Sequence, residues 1–120
     1  MVMRSSKGQD IRERTFRLGV RIVKMVSRLP RTVAGFELGH QVIRSGTGIG
    51  ANVEEADAAE SKDDFVHKMK IALKEAQETR FWVRTINESG MLTDDETKAL
   101  LQESDELVRI IHTIIKNTLK

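Results

Sequence analysis

Residues 44–82 read RSGTGIGANVEEADAAESKDDFVHKMKIALKEAQETRFW, and the reading of this stretch decides the fold. Its first half continues a pattern begun upstream, in which Leu38, Val42, Ser45, Ile49, Asn52 or Val53, and Ala56 recur at steps of three and four, the spacing of one helix face. Gly35, Gly39, Gly46, Gly48 and Gly50 interrupt it. Each glycine in a helix interior costs about 0.5–1 kcal/mol relative to alanine, so their density needs a reason. Close approach of a neighbouring backbone supplies one, with Gly35/Gly39 and Gly46/Gly50 each on one side of the helix. In the second half, Ser61-Lys62-Asp63-Asp64 reads as an N-cap with acids in the first turn. Phe65, Met69, Ala72, Ala76, Thr79, Val83 and Ile86 then run down one face, and Gly90 is placed to end that helix in the left-handed conformation.

Two more helices flank this pair. Upstream, Ile11, Thr15, Leu18, Ile22, Met25 or Val26, and Leu29 keep the helical spacing, which should stop near Leu29-Pro30. Pro30 then suits the first turn of the next helix. Downstream, Thr93-Asp94-Asp95-Glu96 matches a capping box, followed by Leu100, Leu107, Ile111, Ile114 and Thr118 on one face. The fold class expected is all-α, an antiparallel up-and-down four-helix bundle filling residues 1–120 as one domain, with residues 1–9 as a flexible arm. Further apolar residues lie off the core faces: Phe16, Val20 and Val23; Val66, Phe81 and Trp82; Ile110 and Ile115. A bundle this small has few places to hide a second apolar face, so self-association is expected.

With no cysteine, the chain has no means of thiol catalysis, zinc–thiolate binding or redox switching. No apolar leader opens the sequence and no run of about 18 apolar residues interrupts it, so a soluble cytoplasmic protein without membrane contact is expected. The net charge of +2 hides an asymmetry. Residues 1–31 carry a local +7 and residues 32–120 a local −5, which points either to an anionic partner or to basic and acidic surfaces of one fold that meet.

The motif residues resemble a known family. Arg44-Ser45-Gly46-Thr47, Ile49-Gly50-Ala51-Asn52, Glu55-Ala56, Ser61-Lys62, Asp64-Phe65, His67-Lys68, Ala72 to Ala76, Glu78-Thr79 and Trp82 resemble the bacterial four-helix-bundle proteins related to those encoded in intervening sequences of 23S rRNA genes. Gly48 stands where that family leads one to expect serine, and Phe81 where it leads one to expect tyrosine. The resemblance implies a non-enzymatic subunit that assembles into a ring, most simply a homopentamer. A more distant branch, similar in fold, comprises accessory proteins of diversity-generating retroelements. These bind nucleic acid and partner a reverse transcriptase through a basic barrel, so the resemblance also implies an alternative role as a nucleic-acid-binding accessory protein.

Arg14, Arg17, Arg21, Lys24, Arg28 and Arg31 recur at steps of three and four and so share one stripe of the first helix. Such a row could track phosphates by counterion release. It could also be a solvated face, or a stripe paired with acids such as Glu54, Glu55, Asp57 and Glu60 of the same or a neighbouring subunit. The bland reading weighs more. Gly46-Thr47-Gly48-Ile49-Gly50 lacks the preceding strand and following lysine of a phosphate-binding loop, which leaves helix packing as its account. Glu37/His40 and Asp64/His67 have the spacing of di-metal bundle ligands, yet the histidines fall about 200° from the core stripes. No metal and no cofactor is expected. Asn52, on the inward side of the second helix, should find a hydrogen-bond partner among Glu75, Glu78, Thr79 and Arg80. Ser45, Gly46, Gly50, Asn52, Glu55, Lys74, Glu75, Glu78, Thr79 and Trp82 are therefore read as a structural motif that sets helix register. No nucleophile with an ordered base is apparent, so no catalytic residue is assigned.

Overall fold

The computed structural model describes residues 10–120, so the expected arm over residues 1–9 lies outside the described residues. Those residues form four helices: α1 (Ile11–Val26), α2 (Val33–Asp57), α3 (Lys62–Glu88) and α4 (Asp95–Thr118). Each starts where a short polar side chain meets the free amides of the first turn. Asp10 accepts from the Arg12 amide, Thr32 from Gly35, Ser61 from Asp64 and Asp94 from Thr97.

Two boundaries differ from expectation. Pro30 does not open α2; Thr32 caps the helix, and Pro30 lies in the linker so close behind that a Cβ on residue 35 would sit 1.9 Å from the Pro30 carbonyl oxygen. Only glycine allows that return. At α4 the cap is Asp94 rather than Thr93, because the Asp94 carboxylate reaches both the amide and the hydroxyl of Thr97, at 2.8 and 3.0 Å. Gly90, with φ of 86°, ends the α3 region in the left-handed conformation as expected.

Each helix packs on its neighbours in sequence, and α1 closes thinly on α4; the diagonal pairs make no close backbone contact. That is an up-and-down bundle, 45 × 25 × 19 Å. Its core holds the expected faces: Leu18, Ile22 and Met25 from α1, Val42, Ile49 and Val53 from α2, Phe65 to Ile86 from α3, and Leu100, Leu107 and Ile111 from α4. Val66 and Ile115, expected off the core, are buried within the subunit, whereas Leu38 and Ile114 are only half-buried. Period alone places a residue relative to its own helix axis, not to the neighbouring helices.

The glycines of α2 allow α1 and α2 to come together. A Cβ at Gly46 would lie 2.9 Å from the Ile22 side chain, and one at Gly50 would lie 3.3 Å from the Thr15 carbonyl. Residues 46–50 run through as continuous helix.

Candidate interaction surfaces

The basic stripe of α1 faces α4. Arg14 donates to Glu103 at 2.6 Å and lies 3.3 Å from Glu106, and Arg21 pairs with Glu96 at 2.9 Å. Arg28 pairs with Asp94, and Arg17 with Glu13 on its own helix at 3.2 Å. Lys24 and Arg31 have no ion pair among the described residues. The acids that answer this stripe are thus Glu13, Asp94, Glu96, Glu103 and Glu106, not Glu54, Glu55, Asp57 and Glu60. Asp57 instead takes Arg12, and Glu55 takes Lys68. The acids of α4 flank its apolar face at Glu96, Glu103 and Glu106, a spacing that could have flagged them had the α1–α4 adjacency been known.

These pairs set the local electrostatics. The Asp94 carboxyl is held down to about 2 by the Thr97 amide first and the Arg28 guanidinium second. Arg21 likewise draws Glu96 below the usual carboxylate range. Ion pairs therefore close the seam where apolar contact between α1 and α4 is thinnest.

Of the motif residues, Ser45 and Thr79 meet between α2 and α3, whereas Gly46 and Gly50 face α1. Ser45 and Thr79 are fully buried, with their hydroxyl oxygens 3.0 Å apart, and Thr79 Oγ1 is 2.8 Å from the Glu75 carbonyl. Asn52 does not reach α3. Its side chain is half-buried and donates to the Gly48 carbonyl of its own helix at 2.7 Å, because Val53, one residue on, takes the inward place. The cross-helix link expected of Asn52 is made by Ser45–Thr79 and by Arg44, which pairs with Glu78 at 3.0 Å. Glu75 Oε2 is buried with no hydrogen-bond partner among the described residues, beside Gly48, where a Cβ would lie 3.0 Å from it; the other oxygen lies 3.7 Å from Arg44. Burial first, and Glu78 second, push the Glu75 carboxyl above its ordinary value. Lys74 is exposed and makes no hydrogen bond or ion pair among the described residues. Trp82 is half-buried with its ring 5.1 Å from that of Phe81 in an edge-on contact.

His40 and His67 are exposed, and among the described residues no group of three or more His, Asp or Glu side chains could hold a metal ion. Among the described residues no helix is long and apolar enough to cross a membrane.

The outer surface is unusually apolar in two places. Phe16 (57 % exposed), Val20 and Val23 flank an apolar groove of about 370 Å³ whose floor is Gly19, Thr47, Gly50 and Ala51, with Glu54 at its mouth. Phe36 and Val33, 60 % and 81 % exposed at the start of α2, were not singled out in the sequence; they lie off the buried spacing as Phe16 does. On the other side of the bundle, Phe81 (60 % exposed) stands out from α3 over a groove it shares with Leu101 and Asp105 of α4.

A family model described as 23S rRNA-intervening sequence protein matches residues 7–113. A crystal structure of a protein with unknown function from the S23 ribosomal protein family of Bacteroides thetaiotaomicron is 35% identical, with a TM-score of 0.82. The match covers 88% of this chain and 98% of that one. No curated protein matches.

Proposed function

The chain belongs to the 23S rRNA-intervening sequence protein family, and from that premise we propose that it is a non-enzymatic scaffold of the cytoplasm, built by copies of the bundle closing into a ring. The family resemblance suggests five copies. The observation that carries this reading is the exposed apolar surface, Phe16, Val23 and Phe36 on one side and Phe81 on the other, on a subunit whose own core is complete without them. Contiguous apolar patches of this kind mark protein contacts. Replacing Val23 by aspartate should convert the assembly to monomers, read by light scattering, with the helical circular dichroism unchanged. An assembly indifferent to Val23→Asp overturns the reading of the α1/α2 groove as a contact.

The alternative, a nucleic-acid-binding accessory partnering a reverse transcriptase, is the weaker one. Four of the six candidate cations are turned to carboxylates of the same chain, so little uncompensated charge remains on the ridge to displace counterions. Under this weighting RNA and DNA give no salt-sensitive gel shift. A shift abolished by reversing Arg17, Arg21 and Arg28 to glutamate would restore the alternative.

A further inference from the structure

The self-assembly reading leaves open which faces meet, and two helix faces of this chain match each other in residue spacing and in charge order. On α2, His40, Thr47 and Glu54 are spaced by seven residues and so lie nearly in line, beside the apolar groove. On α3, Lys74, Phe81 and Glu88 have the same spacing and lie on the side turned away from the buried stripe. Seven residues span about 10.5 Å of helix in both cases. If the two helices are laid antiparallel with Phe81 over Thr47 and the groove, Lys74 falls beside Glu54 and Glu88 beside His40.

The six residues are all exposed. Lys74, Glu54 and His40 have no ion pair among the described residues, and Glu88 is held only by the exposed Arg84 of its own helix, an arrangement of little worth. Lys74 belongs to the motif, yet no carboxylate of its own subunit pairs with it among the described residues. We propose that Phe81 of one subunit inserts into the α1/α2 groove of a second copy, the helices antiparallel, with Lys74 against Glu54 fixing the register.

Gly19 and Gly50 line the groove between Phe16, Val20 and Val23, and their missing side chains let α1 and α2 close beneath it. Phe81 supplies area at the centre, and the charged pairs at the rim supply specificity more than affinity. Because the groove lies on the α1/α2 side and Phe81 on the α3/α4 side, the contact is heterologous. Each subunit then offers one knob and one groove, and repetition of the contact closes a ring or runs on as a filament.

The absence of native cysteine makes the test clean. In the otherwise unaltered chain, the double variant Glu54→Cys/Lys74→Cys should oxidise to a ladder of linked subunits, whereas Glu54→Cys or Lys74→Cys alone should give no linked dimers, since neither position meets itself. Phe81→Asp should raise the concentration at half-assembly by about thirtyfold or more, and Glu54→Lys should be rescued by Lys74→Glu. An assembled chain whose double variant stays unlinked, or whose single variants link to themselves, overturns this pairing while leaving self-assembly standing. A wild-type chain that is monomeric overturns both.

Discussion

At the scale of single residues, the polar link between α2 and α3 is Ser45–Thr79, both completely buried. Removing Thr79 leaves the buried Ser45 hydroxyl only the longer 3.4 Å bond to the Val42 carbonyl, at a cost of about 1–2 kcal/mol, whereas removing both hydroxyls costs little beyond the first. Thr79→Val should therefore destabilise the chain in urea unfolding, and Ser45→Ala in that background should add almost nothing; fully additive losses contradict the link. Glu75 makes a second, pH-dependent prediction. Its carboxyl titrates above the ordinary value of 4.5 in the folded chain, so its contribution to stability is greatest below that value and declines as pH rises through the folded pKa. Thermal stability of the wild type should fall relative to Glu75→Gln above about pH 4.5. Gly48→Ser, which sets a hydroxyl donor beside the unpartnered oxygen, should lessen that fall more than Gly48→Ala does. Parallel curves for all four chains would show that Glu75 carries no such strain. Asn52 shows what the sequence could not convey: a choice between residues 52 and 53 for the inward place depends on about 100° of helix rotation, and Val53 wins because burying its methyls needs no hydrogen-bond partner.

At the scale of elements, the helix faces were legible because core positions recur strictly, as in Phe65 through Ile86. The caps were legible where one polar side chain stood alone, as at Ser61. Where two candidates were adjacent, at Thr93 and Asp94, the carboxylate with reach to both Thr97 groups took the position. In the glycine-rich stretch Gly46 and Gly50 pack against α1, whereas Gly48 faces Glu75 of α3. The glycines are therefore unequal. Gly46→Ala forces a methyl against the fully buried, branched Ile22, an overpacking cost of about 1–3 kcal/mol that outweighs the helix propensity gained. Gly48→Ala meets only the end of the flexible Glu75 side chain and should be neutral or stabilising. Equal effects of the two substitutions on the melting temperature would contradict the close α1–α2 packing described here.

At the scale of the molecule, the charge asymmetry of the chain is answered largely inside the fold, where Arg14, Arg21 and Arg28 of the basic end meet Glu103, Glu96 and Asp94 of α4. Composition could not distinguish that from an anionic partner, since which helices adjoin is a property of the assembled bundle. The leftover apolar residues were legible as a set, but Val66 and Ile115 proved internal, while Phe16, Val23, Phe36 and Phe81 stand in contact with solvent on the isolated subunit. Their exposure is what supports the proposed scaffold of several copies. Sedimentation equilibrium of the wild-type chain at micromolar concentration tests that most directly. One species of two or more whole copies of the 13.6 kDa chain is the expected result, five being the number the family resemblance implies. A single species of 13.6 kDa that does not grow with concentration would contradict it.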